Sequence, residues 1–599
     1  MRYNQKNNEI KSICLILLFS ITIAPLFQSC SKNPEPAIKP NIILIVTDDQ
    51  GWGDLGINGN SIIHTPNIDA LAKKSAQFSR FYVSPVCSPT RAEILTGRYH
   101  PRGGVYSTSA GGERLDLDEE TIAEIFKTNG YHTGVFGKWH NGSQPPFHPN
   151  NRGFDEFYGF ASGHWGNYFC PMLERNGEIV KGDGFIIDDL TNKAMDYIEA
   201  QSNDPFFVLL TFNTPHSPMQ VPDKWWNKYK DVDIDTSHRN GSKEQIEKTR
   251  AAYALCENID WNVGRIVDKL DSLSLLENTI VIYMSDNGPN GRRWNDNLKG
   301  IKGSTDEGGV RSPFIVHWKD KIKPKIIDNI SSTIDILPSL VDLADITTKH
   351  KKPLDGISLK PLLLDEDNIW EDRYVFSHWN GNVSVRDQQY ILDQNNQLFD
   401  LSIDQGQFEP VENPSDSLIS RFISAKKEYT ETVLKELDRE RKEIFPVGFP
   451  GSEITHLPAR DGIAHGNIKR SNRWPNSSYF TNWTAVTDSI SWNCDILSEG
   501  DFKATVYYTA KASSVGSNLQ LKQGDNFVTR ILKEAHNPPF NAVEFDRFPR
   551  EESYEKDFKP LELGVIHLEK GLHSISLKST EIKGKELIDF RLLVLKKIE

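Results

Sequence analysis

The nine residues Asn41–Asp49, NIILIVTDD, decide the fold of this chain. Within them, Ile42–Val46 is an unbroken apolar and largely β-branched run, the pattern of a strand that is buried on both faces of a parallel sheet. The stretch ends at Asp48 and Asp49, two adjacent carboxylates that repel each other unless a cation or a hydrogen-bond donor holds them. A capped turn and a metal pair are both open interpretations of these two acids.

Strands and helices alternate through the first 350 residues. Apolar runs of strand length recur after the first one, at Tyr131–Phe136, Pro205–Phe212, Thr279–Met284 and Phe314–Trp318. Helical periodicity lies between them, at Thr121–Asn129, Ile187–Ala200 and Thr249–Leu270. The alternation predicts an α/β fold, in which a large and mostly parallel sheet is flanked by helices and joined by right-handed crossovers.

Polar side chains lie just past the ends of four of these predicted strands. They are Asp48 and Asp49, Lys138 and His140, His216, and Asp286 and Asn287. Because ligands of open α/β sheets bind beyond the carboxyl ends of the strands, we expect these side chains to meet at one site. The acidic and amide members offer hard oxygen ligands. With a fifth ligand from Cys87 they suit Ca²⁺ better than zinc, and Mg²⁺ is the alternative.

The pentapeptide CSPTR, Cys87–Arg91, predicts a second part of the site. Pro89 suits the first position of a helix and Ser88 precedes it as an N-cap, so we expect a helix over Pro89–Thr96 that stops at Gly97. The cysteine would then lie just before a helix N-terminus, where free N–H groups favour an anion, with the arginine one turn along. Together they predict a site for a tetrahedral oxyanion. A buried or low-pKa cysteine before an ordinary helix is the alternative.

The pentapeptide also resembles the Cys-x-Pro-x-Arg signature of the formylglycine-dependent sulfatases of the alkaline-phosphatase superfamily, and the resemblance spans about Asn41–Pro446. It implies that a maturing enzyme oxidises the cysteine to an aldehyde, whose hydrate is the nucleophile. The catalytic residues that it implies are Cys87, Arg91, Lys138, His140, His216 and Lys302. The metal ligands that it implies are Asp48, Asp49, Cys87, Asp286 and Asn287.

The resemblance further implies how protons move. His216 is expected to protonate the leaving alcohol as the general acid, with Lys302 as the alternative. Asp49 is a candidate base for the nucleophile. His140 is expected to accept the proton whose removal lets the covalent sulfate intermediate collapse and release sulfate.

Four further residues are assigned to substrate binding. His164 and Trp165 lie in a loop that could line a sugar pocket, although aromatic loops often serve only to pack. Arg102 and His378 complete the assignment, and core packing is the alternative for His378. The aromatic stretch Asn151–Phe160 is expected to be an architectural loop.

The chain divides by composition and pattern into five segments. Residues 1–30 are predicted to be a signal peptide of the lipoprotein type with Cys30 as the lipid anchor, and plain secretion is the alternative. A tether at 31–40, a catalytic domain at 41–350, an antiparallel-sheet subdomain at 351–450 and an accessory β-sandwich at 451–599 follow. The sandwich is expected to be either a structural appendage or a carbohydrate-binding module. The six cysteines form no disulfide framework or zinc spacing.

These features predict an exported bacterial polysaccharide sulfatase, in the periplasm or on the outer membrane as a lipoprotein. It would release inorganic sulfate from sulfate monoesters of an algal or host carbohydrate. The net charge of −13 argues against a nucleic-acid partner. Two alternatives stay open, namely a phosphomonoester or phosphonate hydrolase of the same superfamily and a non-catalytic glycan-binding protein.

Overall fold

The structure, a computed structural model, describes residues 39–234, 237–239, 244–366, 370–437 and 443–598. The predicted signal peptide, nearly all of the predicted tether and the predicted anchor residue Cys30 lie outside the described residues. Among the described residues, no helix combines the length and the apolar character that a membrane span requires.

The N-terminal part of the described chain contains alternating strands and helices. Its strands are β1 (Asn41–Asp48), β2 (Ala76–Phe78), β3 (Phe81–Tyr82), β4 (His132–Lys138), β5 (Glu156–Phe160), β6 (Met172–Arg175), β7 (Glu178–Lys181), β8 (Phe206–Pro215), β9 (Thr279–Ser285), β10 (Arg311–Ser312), β11 (Phe314–His317), β12 (Lys325–Ile327) and β13 (Ser331–Ser332). Its helices are α1 (Pro66–Ala72), α2 (Cys87–Thr96), α3 (Ile122–Thr128), α4 (Ile186–Ala200), α5 (Asp223–Tyr229), α6 (Ile246–Ser272), α7 (Glu307–Val310) and α8 (Ile336–Leu343).

One large mixed sheet organises this part. Its order over the described residues is β12-β2-β11-β9-β1-β8-β4-β5-β6-β7. The middle of the sheet, from β9 to β5, is parallel, whereas β11 at one side and the β6–β7 hairpin at the other are antiparallel to their neighbours. The predicted α/β class is confirmed, with antiparallel strands added toward the edges.

Both faces of β1 are buried, as its apolar run predicts. Ile43 and Ile45 pack in one core cluster with residues of α1, α4 and α6. Ile42 and Leu44 point the other way and pack with residues of α2, α3 and α8. Alternate side chains of a strand point to opposite faces of the sheet, so a continuous apolar run requires a helical layer on each side.

The stretch predicted as an architectural loop is partly a strand. Glu156–Phe160 forms β5 and pairs in parallel with β4, with Gly159 opposite Gly137. The two backbones approach so closely that a Cβ on Gly159 would lie 2.0 Å from the carbonyl oxygen of Gly137. Glycine lowers the strand propensity of a sequence, and here it is the residue that allows the two strands to meet.

Helix α2 begins two residues earlier than predicted. Cys87 is its first residue and Val86 is the extended residue before it, so Ser88 is not the N-cap. The Ser88 hydroxyl is buried and has no hydrogen-bond partner in the structure. The helix stops at Gly97 as predicted, because Gly97 adopts the left-handed conformation with a φ of 65°.

A small antiparallel sheet follows the central sheet. It consists of β14 (Val375–Trp379), β15 (Asn382–Arg386), β16 (Tyr390–Leu392) and β17 (Leu398–Asp400), in that order. The expected hairpin turn at Gln394–Asn396 connects β16 to β17. Helix α9 (Lys360–Leu364) precedes this sheet, and α10 (Asp416–Thr432) follows it.

Two further sheets form the C-terminal sandwich. Their strands are β18 (Phe445–Val447), β19 (Ile454–Pro458), β20 (Ile463–His465), β21 (Lys469–Arg470), β22 (Phe480–Thr481), β23 (Ser489–Ile496), β24 (Gly500–Thr509), β25 (Asn518–Gln523), β26 (Asn526–Ile531), β27 (Lys559–Leu568), β28 (Gly571–Lys578) and β29 (Asp589–Lys597). One sheet is β18-β23-β28-β25-β26 with β20 on β23, and the other is β21-β22-β29-β24-β27 with β19 on β29. Residues of both sheets share one apolar core. All pairs are antiparallel except β18 with β23.

Candidate active site

Two strand ends bring four oxygen-bearing side chains together. Strands β1 and β9 pair in parallel up to Thr47 and Ser285, so the residues that follow each strand are neighbours. Asp49 turns there with a φ of 66°, a left-handed conformation that is uncommon outside glycine. Its backbone N–H donates to Asp286 Oδ1 at 3.2 Å, and Asn287 Nδ2 donates to Asp49 Oδ1 at 2.8 Å.

The oxygens of this cluster fit a hard cation. Asp48 Oδ1, Asp49 Oδ2 and Asn287 Oδ1 are buried without a hydrogen-bond partner in the structure. Ligand atoms of Asp48, Cys87 and Asp286 all lie within 4.8 Å of one another. Buried acceptors that no donor satisfies are rare, and carboxylate and amide oxygens are the ligands of Ca²⁺ and Mg²⁺.

Two lysines contact Asp48 and Asp49. Lys138 Nζ lies 2.7 Å from Asp48 Oδ2, and Lys302 Nζ lies 2.6 Å from Asp49 Oδ1. Burial alone would raise the pKa of both aspartates, but the charges of these lysines outweigh it and hold each pKa below its usual range. Both aspartates are therefore ionised and available as ligands.

Asp286 is the exception within the cluster. Burial, followed by the nearby charge of Asp48, raises its pKa well above the usual range. The positive charge of Arg91, whose Nη2 lies 2.8 Å from Asp286 Oδ2, partly offsets this rise in the pKa of Asp286. A divalent cation beside these carboxylates would add the positive charge that Asp286 needs to ionise.

Cys87 sits at the entrance to this cluster. It is the first residue of α2 and is almost fully buried, with 3% of its surface exposed. Arg91, one turn along, donates from Nη1 to the carbonyl oxygen of Lys138 at 2.8 Å, which fixes the guanidinium between α2 and the end of β4. The loop that carries Lys302 is tied to the residues before α2, because Gly303 N donates to the carbonyl oxygen of Pro85 at 2.8 Å.

The two predicted histidines have different environments. His140 follows β4 with a φ of 69°; its Nε2 lies 2.9 Å from the carbonyl oxygen of Thr108, and its buried Nδ1 has no partner. Burial, and then the charge of Lys138, lower the pKa of His140 well below the usual range, so the ring is neutral. His216 follows β8, with Nδ1 2.6 Å from the carbonyl oxygen of Ser217 and Nε2 3.6 Å from Asp49 Oδ2.

A cavity of about 580 Å³ opens above the cluster. Cys87, His140, His216 and Lys302 line its floor, and His164 lines it beside them. The C-terminal part of the chain contributes a wall from two segments, 473–476 and 548–552. The catalytic residues that the sequence predicts therefore surround one cavity or contact its floor.

The structure brings one of the four predicted substrate-binding residues to this cavity. The His164 ring stacks on His216, with centroids 5.7 Å apart. Trp165 instead packs on Phe160 in the core, with centroids 5.0 Å apart. The adjacent residues His164 and Trp165 thus have different surroundings, and Trp165 does not line the cavity.

Arg102 and His378 also lie outside the lining of the cavity. The Arg102 guanidinium is held by Asp355, 3.0 Å away, and by Glu436. His378 stacks on His100, with centroids 5.3 Å apart, while the next residue, Trp379, lines the cavity. The charge of Arg102 is thus satisfied within the protein, and its assignment to substrate binding is not supported by the structure.

Sequence analysis missed Arg293, which braces the turn that bears Asp49. Arg293 donates to both oxygens of Asp54 at distances from 2.6 to 3.0 Å and to the carbonyl oxygen of Asp49 at 3.0 Å. Glu552, from the C-terminal wall of the cavity, was missed as well. Its contact in the core, Ser217, is 335 residues away, and no local pattern in the sequence points to it.

Comparison with known proteins assigns this site to a family. Residues 40–346, just over half of the chain, match the family model described as Sulfatase. The chain belongs to the sulfatase family. It is a sulfuric ester hydrolase, as the resemblance implies, and the predicted fold and family are confirmed.

Relatives and solved structures of sulfatases agree with this assignment. The N-acetylgalactosamine-6-sulfatase of Mus musculus is 31% identical over 387 residues, which are 58% of this chain and 70% of the relative. The steryl-sulfatase of Rattus norvegicus is 28% identical over 467 residues, 61% of this chain and 77% of the relative. The crystal structure of Ps i-CgsB in complex with k-i-k-neocarrahexaose superposes with a TM-score of 0.61 at 32% identity, covering 67% of this chain and 94% of that one.

Proposed function

We propose that this sulfatase releases inorganic sulfate from a sulfated carbohydrate, with Ca²⁺ as its metal and a formylglycine made from Cys87. The observation that carries the proposal is the single cavity that joins Cys87, a cationic floor and a wide polar wall. Among the relatives, one is named for N-acetylgalactosamine 6-sulfate and one is solved with a neocarrahexaose. An algal or host polysaccharide fragment is therefore the substrate class that we propose.

The charges of the site suit a cation and a sulfate together. Asp48, Asp49 and Asp286 would hold the cation with Asn287, and Mg²⁺ is the alternative to Ca²⁺. With all three carboxylates ionised, they are balanced by three cationic side chains, those of Arg91, Lys138 and Lys302. A divalent cation then leaves two positive charges, which match the two negative charges of inorganic sulfate. When present, the cation would neutralise sulfate oxygens and the hydrated aldehyde at residue 87 would supply the nucleophilic oxygen.

The buried cations supply the electrostatic part of catalysis. Lys138 and Arg91 are almost fully buried and fixed by hydrogen bonds before substrate arrives. Burial opposes the charge of Lys302, but Asp49 outweighs it and raises the pKa of the lysine, so its ammonium persists at neutral pH. Charges that need no rearrangement stabilise the negative charge that develops on the transferring group, usually the largest catalytic contribution.

The two histidines divide the proton transfers. His216 keeps a proton on Nδ1 for the carbonyl oxygen of Ser217, which leaves Nε2 as the atom that delivers a proton to the departing sugar oxygen. His140 donates from Nε2 to Thr108 and is neutral, so its unpartnered Nδ1 is a proton acceptor. Overall, water adds across the S–O bond, the sugar recovers a hydroxyl group and sulfate leaves.

Release of inorganic sulfate from a substrate panel tests the proposal. The panel contains a neocarrahexaose, N-acetylgalactosamine 6-sulfate and 4-nitrophenyl sulfate, with 4-nitrophenyl phosphate as the phosphate-ester control. The protein is co-expressed with a formylglycine-maturing enzyme, and mass spectrometry of the peptide around residue 87 reports the aldehyde. Cys87→Ala should abolish sulfate release. Cys494→Ala, which removes a buried thiol from the sandwich, is the matched control and should retain it.

Each result has a distinct meaning. Sulfate release that requires Cys87 supports the proposed chemistry, and the preferred saccharide begins to identify the substrate. Sulfate release that survives Cys87→Ala contradicts the role of residue 87. Faster release of phosphate than of sulfate would favour the phosphate-ester alternative.

We also propose that the protein is exported and anchored by a lipid on Cys30. The apolar segment of residues 10–26 and the serine before Cys30 support this proposal. Expression of the full chain in a Gram-negative host with radiolabelled palmitate tests it. Label that disappears in Cys30→Ser is the expected result, whereas an unlabelled wild-type protein in the soluble periplasmic fraction would favour plain secretion.

A further inference from the structure

A buried carboxylate from the C-terminal part of the chain enters the catalytic cavity. Glu552 lies between β26 and β27, lines the cavity and has only 5% of its surface exposed. Its Oε1 accepts a hydrogen bond from the Ser217 hydroxyl, next to the catalytic His216. Its Oε2 is buried and has no hydrogen-bond partner in the structure.

The hydrogen bond from Ser217 satisfies only one oxygen of this buried carboxylate. Among the described residues, no lysine, arginine or histidine forms an ion pair with Glu552, whereas the buried Glu307 is paired with Arg386 and also accepts a hydrogen bond from Tyr82. It is also outside the groups of side chains that could hold a metal in the described part of the chain. A buried acceptor without a donor costs free energy, so a donor supplied by a ligand is the simplest explanation.

The surface around Glu552 has the properties of a sugar subsite. Trp474 lines the same cavity with 45% of its surface exposed, and the Arg473 guanidinium lies 4.7 Å from the centre of its ring. Arg473 in turn pairs with Glu551 at 3.1 Å, which connects the two wall segments. A sugar ring presents an apolar face and a rim of hydroxyl groups, and an aromatic ring beside a charged acceptor matches both.

The wall is fixed to the catalytic core rather than loosely apposed. Arg460 donates to Glu113 at 2.8 Å and to Ser162 at 3.1 Å, both in the N-terminal part. It also donates to Asn476 at 3.2 Å, and Asn476 Nδ2 donates to the carbonyl oxygen of Thr108 at 3.1 Å. Thr108 is the residue that holds His140, so the wall and the catalytic histidine share one hydrogen-bond network.

We propose that the C-terminal part of the chain supplies a sugar subsite to the sulfate cavity, in which Glu552 accepts a hydrogen bond from a hydroxyl group of the sugar that carries the sulfate. The inference rests on the proposed function. It makes the C-terminal part of the chain a contributor to substrate choice instead of an appendage. Because the free Oε2 of Glu552 is a hydrogen-bond acceptor, the subsite favours a hydroxyl group and disfavours a second sulfate, whose oxygens are also acceptors, at the position that it contacts.

The test compares a saccharide with a substrate that has no sugar. The kcat/KM of the Glu552→Gln enzyme is measured for the best saccharide of the panel and for 4-nitrophenyl sulfate. Glutamine keeps the shape of the side chain but replaces one carboxylate oxygen with an NH2 donor, so it cannot accept from both Ser217 and the sugar as Glu552 does. The ratio of the kcat/KM for the saccharide to that for 4-nitrophenyl sulfate should therefore fall about 10- to 100-fold. A ratio within about twofold of the wild-type ratio would overturn the subsite.

Ser217→Ala is the matched control. It removes the hydrogen bond between Ser217 and Glu552 but keeps the carboxylate in the cavity. If Glu552 acted only by positioning the loop of His216, Ser217→Ala would reproduce the effect of Glu552→Gln, and both substrates would slow in parallel. We expect Ser217→Ala to preserve the ratio of the two kcat/KM values instead.

A binding measurement separates failure of the subsite from failure of the proposed function. The affinity of the Cys87→Ala protein for the same saccharides is measured by isothermal titration calorimetry, with and without Glu552→Gln. Saccharide binding that weakens at least tenfold in Glu552→Gln supports the subsite even where the wild-type enzyme releases no sulfate, a result that would refute only the proposed function. Binding that is unaffected by Glu552→Gln, or no saccharide binding at all, would overturn the subsite.

Discussion

Replacing Arg293 with Met should destabilise the whole catalytic domain. Arg293 and Asp54 have at most 2% of their side chains exposed and are joined by three hydrogen bonds. Burial disfavours the charge on Arg293, but Asp54 outweighs it and raises the pKa of the arginine. Methionine keeps an unbranched apolar stem but lacks the guanidinium group and its charge, so the variant leaves Asp54 as a buried and uncompensated anion.

The expected loss follows from this burial. Breaking one partner of a buried ion pair costs about 3–5 kcal/mol, because the desolvation penalty of the other partner remains. Unfolding entropy of about 2.1 cal/mol/K per residue, applied to the unit Pro40–Glu599, gives ~1.2 kcal/mol/K, so the melting temperature should fall by about 3–4 °C. The turn that bears Asp49 should loosen as well, because Arg293 also holds the carbonyl oxygen of Asp49.

Differential scanning calorimetry of three variants tests this reasoning. Arg175→Met is the control, because Arg175 forms a similar ion pair with Glu156 but has 61% of its side chain exposed; its melting temperature should stay within about 1 °C of wild type. The double variant Arg293→Met/Asp54→Asn removes both charges and should recover at least half of the loss. If Arg293→Met melts like Arg175→Met, or if the double variant is no more stable than the single one, the reasoning is refuted.

Three further predictions concern the sheet, a buried acid–base pair and the metal. Gly137→Ala should abolish soluble expression or lower the melting temperature by several degrees, because its Cβ would lie 1.9 Å from the carbonyl oxygen of Thr211. Gly303→Ala is the control: its φ of 88° is also left-handed, so alanine is strained there too, but nothing lies within 4 Å of the new Cβ and the melting temperature should fall far less. Hydrogen bonding and the charge of Glu174 raise the pKa of His456 despite burial, and contacts with histidines lower the pKa of Glu174 to about 2. The difference in melting temperature between wild type and His456→Gln should therefore be largest between about pH 4.5 and 6.5. The difference should shrink above that range, as His456 loses its proton, and below it, as Glu174 gains one. A difference that grows toward high pH would contradict the pairing. Treatment with EDTA should abolish sulfate release. It should also lower the melting temperature by about 2 °C relative to protein in a Ca²⁺ concentration a hundredfold above the dissociation constant of the Ca²⁺ complex. An unchanged melting temperature would argue against a metal at this cluster.

The sequence predicts the buried strands of the central sheet and the polar residues that follow them. The run Ile42–Val46 requires two apolar layers, and both are present. The sequence predicts that Asp48 and Asp286 each follow a strand of one mostly parallel sheet, and the parallel pairing of β1 with β9 does bring them to the same edge. These features depend on residues a few positions apart, which a single sequence displays.

The unpredictable part depends on contacts between distant segments. Ser88 is a favourable N-cap by residue type, but the chain before it is extended and the helix already begins at Cys87. Strand β5 was hidden because glycine and aromatic residues in a short stretch are typical of loops. Arg293 meets Asp54 across 239 residues, a separation over which the sequence carries no periodic signal.

The wall of the cavity comes later in the sequence than the floor, and this order has a consequence for synthesis of the protein. A ribosome makes Asp48 and Cys87 first, the second pair of acidic and amide ligands some 200 residues later, and Glu552 some 265 residues after that pair. For much of this last interval, every residue of the sulfate-handling floor has been made, but the wall that we propose selects the sugar has not. A chain that stops before the wall would therefore carry the residues of the floor without the residues that we propose discriminate between sugars.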